Sequence, residues 1–262
     1  MRFCVLGSGS KGNCTLVESC GCALLIDAGF SGIELERRLN SVGLKPEIIK
    51  AVLVTHEHRD HVSGVGVLSR KYKLPVFINA ATLTAAGNIM GNLHAVVEFE
   101  TGTSFSCAGF DVHPFAISHD TADPVGFTIN DSHNLLGYCT DTGIISRLIA
   151  RHLSACQGLV LECNHDLDML RNGNYPLSLQ QRIRSQSGHL ANHDSLSFVK
   201  ELRTGCLRHV VMAHLSESNN SPELVQQEID ALLKSLPRSD SHPPLNISIA
   251  GQHKAGPLIS LP

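Results

Sequence analysis

Four side chains able to bind a metal ion fall within six positions, His56, His58, Asp60 and His61, in the stretch AVLVTHEHRDH. They follow directly on the apolar residues 51–54, which read as a short buried strand. In an extended segment, residues two apart project to the same side, so His56 and His58 can converge on one ion. The chain then turns into a helix expected over 62–73, which lets Asp60 and His61 face a second ion nearby. Such a density of imidazole and carboxylate just past a buried strand has no packing rationale and suits a two-metal site. A zincin is excluded, because H-E-x-x-H needs a histidine where Asp60 stands.

The elements that must position these groups can be read from periodicity. Apolar runs at 2–6, 14–18 and 23–26, separated by glycine-containing turns, predict a β-meander. Ser31 with Glu34 matches the S-x-x-E capping box, and Leu35, Leu39 and Val42 give one apolar face to a helix ending at Gly43. Strands are expected at 75–78, through much of 96–139 including 110–118, and at 158–162, 209–213 and 245–250. Helical periodicity marks 143–153 and the stretches LSLQQRIRS, SLSFVKELR and SPELVQQEIDALLKSL. The order is two β-rich halves with helices between and outside them, an α/β (α+β) arrangement in one domain over 1–262.

The first turn, GSGSKG, spaces Gly7, Gly9 and Gly12 as in a dinucleotide-binding loop, with Asp27 downstream. That motif needs a helix whose N-terminus receives the pyrophosphate. The residues that follow read as two strands, so no nicotinamide cofactor is expected. Composition narrows the class further. Hydrophobic residues make up 42% and charged residues 17%, with no apolar run approaching the roughly 18 residues of a membrane span, so no membrane role is expected. The N-terminus lacks a secretory pattern, and the nine scattered cysteines suit reduced thiols, which together point to the cytoplasm. Cys20 and Cys22 form a C-x-C with no second pair to complete a four-ligand site, and read as a hairpin tip. A net charge of −3 does not advertise nucleic-acid binding, and the compact basic groups RKYK (70–73) and RIR (182–184) read as solvated helix faces.

H-x-H-x-D-H after a strand, preceded by Asp27 in LLIDAG at the end of an earlier one, resembles the metallo-β-lactamase-fold hydrolases. The resemblance implies a four-layer αββα sandwich, in keeping with the element order. It also implies His119 in AISHD, Asp141 in YCTDTG and His214 in VVMAHLSESNN as further ligands, each just past a predicted strand. One divalent ion would then be held by His56, His58 and His119 and a second by Asp60, His61 and His214, with Asp141 shared. Such mixed ligands accept zinc or manganese, and iron as well. Asp27 is expected to orient a ligand or the site loop within the catalytic centre. His165 and His189 compete with His214 for the final place, and the strand-end position and H-[LF]-S motif favour His214.

Two ions sharing a carboxylate would share a water and lower its pKa from about 15.7 to about 7, making a bridging hydroxide the expected nucleophile. Asp60 belongs to that centre, and His189 in SGHLANHDS, expected at a helix start, resembles the proton donor of related phosphodiesterases. Glu162 and His165 in LECNHDLDML are expected behind the ligands or as loop caps. His94, His113, His133, His152, His193, His209, His242 and His253 are expected to be structural or surface residues.

Within the superfamily, GSGSKGN, LLIDAG, THEHRDH with Gly64 after it, ISHDTADPVGF, CTDTG, LECNHD-x-x-ML, SGHLANHDS and HLSESNN resemble the YycJ (WalJ) branch, from residue 6 to about 220. This implies a metal-dependent phosphodiesterase, a 5′-to-3′ exonuclease with DNA ahead of RNA as substrate. The alternative is a small-molecule hydrolase of the same fold, acting on a thioester, lactone or cyclic phosphodiester. Substrate contacts are expected from Ser8, Ser10, Lys11 and Asn13 of the glycine loop and from Asn192, Ser216 and Asn219.

Overall fold

A strand that is apolar at nearly every position must be covered on both faces, and the computed structural model, which describes residues 1–203, 205–236 and 244–262, provides that cover. The first half contributes β1 (Arg2–Gly7), β2 (Cys14–Ser19), β3 (Cys22–Ile26), β4 (Ile49–Leu53), β5 (Pro75–Ile78) and β6 (Ala95–Glu98). The second contributes β7 (Phe105–Cys107), β8 (Phe110–Ala116), β9 (Val125–Asn130), β10 (Leu135–Cys139), β11 (Gly158–Glu162), β12 (His209–Ala213) and β13 (Asn246–Ile249). The short β14 (Ile259–Ser260) returns to pair with β1. Among the described residues these form two seven-stranded sheets, ordered β14-β1-β2-β3-β4-β5-β6 and β13-β12-β11-β10-β9-β8-β7.

Period-two alternation divides each strand between two cores. From β1, Phe3 and Val5 enter the layer between the sheets, where Phe110, Phe127, Tyr138 and Val160 of the second sheet meet them. Cys4 and Leu6 point the other way, toward Leu35, Leu39, Val65 and Leu68 of the outer helices. In the second sheet Val160 and Val211 face inward, while Leu159, Leu161, Val210 and Met212 meet Leu153, Phe198, Val225 and Ile229. Three apolar layers between four structural layers make the αββα sandwich expected from the sequence.

Strand direction places the site. The meander β1-β2-β3 is antiparallel and β3, β4 and β5 are parallel, so β1, β3 and β4 end at the same edge. In the other sheet β8 and β10 both run antiparallel to β9, and β10, β11 and β12 are parallel, so these four also share an edge. Every expected ligand follows the carboxyl end of one of these strands, the place where open sheets collect ligands.

Local expectations hold where chemistry is local and fail where a distant contact intervenes. Ser31 caps the helix Gly32–Ser41 through the Glu34 N–H, but the Glu34 carboxylate turns to Arg37 and Arg38 instead of closing the box. The Cys20-Gly21 tip has positive φ at both residues, the requirement of a two-residue hairpin turn, and no disulfide forms. The helix expected over 62–73 is instead two, Arg59–Val62 and Val65–Tyr72. They part at Gly64, whose N–H donates to the Ala28 carbonyl and whose Cα lies too close to the Phe30 carbonyl for any Cβ. The helix expected from 143 begins at Arg147, where Ser146 caps it. Helices Ala80–Ala86 and Leu167–Asn172 were not anticipated. His242 lies outside the described residues. No helix among the described residues is long and apolar enough to cross a membrane.

Candidate metal centre

The structure brings His56, His58, Asp60, His61, His119, Asp141 and His214 together at the shared strand edge, in overlapping groups able to hold metal. His56, His58 and His119 form one, Asp60, His61 and His214 another, and Asp141 lies within reach of both. Asp27, Asp141 and His214 have φ of 58°, 58° and 56°, left-handed conformations that non-glycine residues seldom adopt. Strain of this kind, about 1–3 kcal/mol per residue, persists where the surroundings over-determine it and clusters at functional sites.

The spacing fits bound ions. A tetrahedral ion with metal–ligand bonds of about 2.1 Å holds neighbouring donor atoms roughly 3.4 Å apart. Here His58 Nδ1 and His119 Nε2 are 3.3 Å apart, His61 Nε2 lies 3.4 Å from Asp141 Oδ2 and 3.5 Å from Asp60 Oδ2, and His214 Nε2 lies 3.6 Å from Asp60 Oδ2. His56 Nε2, Asp141 Oδ2 and His214 Nε2 are buried with no hydrogen-bond partner, an arrangement that is costly unless a cation satisfies them. The electrostatics of the cluster point the same way. Burial, then His61 and His119, drives His56 well below its usual range and keeps it neutral. Burial opposes a charge on Asp60, yet His61 and His214 hold its carboxyl far below the usual carboxylate range. Burial likewise disfavours charge on His214, but Asp141, Asp60 and Glu162 lift it to about 10. The carboxylates thus demand positive charge at the cluster, which metal ions supply in place of protons.

Two buried carboxylates aim the histidines. Asp27 accepts from Thr55 N at 2.9 Å, Thr55 Oγ1 at 2.8 Å and His61 Nδ1 at 2.7 Å. A carboxylate can only accept, so His61 carries its proton on Nδ1 and turns the Nε2 lone pair toward Asp60 and Asp141. Glu162, fully buried at the end of β11, does the same across the site. Its Oε1 accepts from His189 Nδ1 at 2.7 Å and His214 Nδ1 at 3.1 Å, and its Oε2 from Thr142 N at 2.9 Å and Leu190 N at 3.2 Å. Glu162 thus stands behind His214, one of the two places expected for it, and its position at a strand end matches that of Asp27. His119 Nδ1 donates to the Gly188 carbonyl, which leaves Nε2 for the site.

Other expected residues are placed differently. His189 does not start a helix: that helix begins at Asn192, and His189 lies in the loop before it, partly exposed at the centre's mouth. Its neighbour on the other sequence block, His165, is buried away from the clustered ligand atoms, with Nδ1 unpartnered, and burial depresses it to about 4. Ser8 and Asn13 are buried members of the framework. The Ser8 hydroxyl donates to Asn13 and accepts the His214 N–H, and Asn13 Nδ2 donates to Asp60 Oδ2 at 3.0 Å. Gly7 is required here, since a Cβ would meet the Arg38 guanidinium that ties the loop down. Asn192 is buried and bonded to Asn220, and Asn219 is buried as well. Ser10 and Lys11 are exposed and Ser216 is half-buried. Of the basic groups, Arg70 bonds to the Met90 and Asn92 carbonyls, while Lys71 pairs with Glu36 and Arg182 with Asp120 on side chains more than half exposed, as expected of solvated helix faces.

Comparison with known proteins agrees with this geometry. A model of the beta-lactamase superfamily domain matches residues 23–215. Exodeoxyribonuclease YycJ of Bacillus anthracis is 36% identical over 236 residues, 89% of this chain and 89% of the relative. Exodeoxyribonuclease WalJ of Streptococcus pneumoniae is 35% identical over 227 residues, 85% of this chain and 84% of the relative. Among solved structures, the metallo-β-lactamase fold protein YhfI from Bacillus subtilis superimposes with a TM-score of 0.74 at 17% identity, covering 97% of this chain and 98% of that one, a likeness of fold. With the family model spanning most of the chain and the ligand groups at the expected strand ends, this chain belongs to the metallo-β-lactamase branch of the beta-lactamase superfamily, on its YycJ/WalJ side.

Proposed function

We propose that residues 1–262 form one hydrolase domain acting as a metal-dependent 5′-to-3′ DNA exonuclease with two divalent ions, zinc or manganese. The observation that carries this reading is the pair of three-residue ligand groups within reach of one carboxylate, Asp141, in a chain 36% identical to an exodeoxyribonuclease. His56, His58 and His119 would hold one ion and Asp60, His61 and His214 the other. Bound there, the ions supply Lewis acidity to the scissile phosphate and the attacking water.

The remaining steps belong to this chain's side chains. Asp27 fixes the His61 ring and Glu162 the His214 ring, so both present a lone pair without rearrangement. His189 holds one proton on Nδ1 against Glu162. Burial opposes a charge on the ring, but Glu162 raises its pKa and favours a second proton on Nε2. That imidazolium proton is the one given to the leaving oxygen as the phosphodiester breaks, leaving the ring neutral with Nδ1–H on Glu162. Ser10, Lys11 and Ser216 are the expected contact residues whose side chains reach solvent, and they are the ones retained for substrate.

The test is degradation of 5′- and 3′-end-labelled DNA with manganese or zinc, combined with elemental analysis of the purified protein. His56→Ala and Asp141→Ala should abolish degradation while the far-ultraviolet spectrum stays native. Release of product from thioesters or lactones, with no cleavage of DNA under either metal, would establish the small-molecule alternative instead.

A further inference from the structure

Beside the metal centre lies a cleft of about 390 Å³, within the range of roughly 300–1,000 Å³ typical of ligand sites. Leu215, Pro222 and Ala250 give it an apolar lining, and it reaches Ser8, whose hydroxyl accepts the His214 N–H. Leu215 directly follows His214, so the wall continues from the ligand itself. The mouth is charged. Lys11 from the glycine loop and His253 from the C-terminal segment converge on Glu217, with Nζ 2.7 Å from Oε2 and Nε2 3.3 Å from Oε1. Lys254 also lines the cleft and has no ion pair among the described residues. Gln252 fastens the two segments, accepting the Lys11 N–H and donating to the Gly12 carbonyl.

We infer that this cleft seats the nucleotide next to the scissile phosphodiester, with Lys11 and Lys254 on backbone phosphates and His253 against the base. The inference rests on the nuclease reading. An apolar wall and a cationic rim complement a nucleotide, whose flat base sheds water while its phosphate keeps a charge partner. The Lys11 ammonium and the His253 ring, from segments about 240 residues apart in sequence, meet on one carboxylate, and a phosphate entering there would take Lys11 from Glu217. An imidazole at the mouth, three-quarters exposed, offers a ring face on which a base can stack without sequence preference. His253 and the C-terminal segment thereby acquire a role that their sequence context does not announce.

The metal-loaded protein and its variants should be assayed on a labelled oligonucleotide across a salt series. His253→Ala and Lys254→Ala should each raise KM about tenfold with kcat held within about twofold, and His253→Phe should restore most of the loss. Lys254→Ala should also flatten the plot of log affinity against log salt by about 0.7. Glu217→Gln should lower KM. KM unchanged across all three positions in a protein that degrades DNA would overturn the cleft assignment alone. A wild-type protein that degrades no DNA would remove the nuclease reading, and the cleft assignment with it.

Discussion

Replacing Glu162 by glutamine changes one atom in the most heavily used carboxylate of the site. Oε1 accepts from two imidazole N–H groups and Oε2 from two backbone N–H groups. An amide has one accepting end. Whichever way the side chain is turned, its NH2 faces two donors, either those of His189 and His214 or those of Thr142 and Leu190. Two buried donors left unmet cost about 1–3 kcal/mol each, so stability should fall by about 2–6 kcal/mol. With His214 and His189 no longer aimed, metal affinity or activity should drop about 10–100-fold, the usual effect of removing such a support. Three measurements separate the contributions: thermal unfolding, metal content after dialysis, and cleavage of end-labelled DNA at saturating metal. Residual loss at saturating metal belongs to His189 and should shrink on a substrate with an activated leaving group. A variant that keeps its metal and cleaves DNA within twofold of wild type would show that Glu162 aims neither ring.

His189→Ala should slow cleavage of ordinary DNA by about 10²–10⁴-fold, the usual worth of a general acid, and far less with a nitrophenyl leaving group; equal losses on both would remove the acid role. Gly29→Ala would place a Cβ 1.7 Å from the Asp60 carbonyl, where both partners are backbone, and should cost more than about 3 kcal/mol in chemical denaturation. Gly21→Ala, at an open hairpin tip with φ of +78°, should cost only about 1 kcal/mol, and equal losses at the two sites would refute the close-approach argument. Glu34 is held down to about 2 from 4.5, first by Arg37 and then by Arg38. Its stabilisation is therefore present above pH 4.5 and lost as pH falls toward 2. With the side chain 31% exposed, the contribution is under about 1 kcal/mol, and Glu34→Gln should flatten the acid limb of unfolding free energy by no more than that.

Part of the candidate site was legible locally, since THEHRDH compresses four side chains able to bind metal into six positions after a conspicuous apolar run, whereas His119, Asp141 and His214 entered through the family resemblance, and the fold gathers them with the first four. What was not legible depends on partners far away in the chain. Ser63-Gly64 is a breaker signal in itself, but the reason the helix must part there is distant: the 28–30 loop crosses at Gly64. Ser8 and Asn13 look like loop residues ready for a phosphate, yet the chain after β12 and the Asp60 turn close over them. His253 looks like one of many surface histidines until the fold sets it opposite Lys11 on Glu217. Helix Ala80–Ala86 escaped because a seven-residue segment carries too little periodicity, though its Asn79 cap is an ordinary start signal.

The two sheets contribute to the centre by one device used twice. At the end of β3 a buried carboxylate, Asp27, accepts from a backbone N–H of the next strand's loop and from His61. At the end of β11 a second, Glu162, accepts from loop N–H groups and from His214 and His189. Each sheet therefore aims its own imidazoles before any ion arrives, and the left-handed turns at Asp27, Asp141 and His214 bend the chain inward immediately past the strands. Burying two carboxylates would be prohibitive without donors, and the donors are the backbone and rings that must be held still. The same bonds that make the charges tolerable thus set the geometry, which is why a change at a residue outside the three-residue groups, Glu162→Gln, should be felt at His214 and at His189 together.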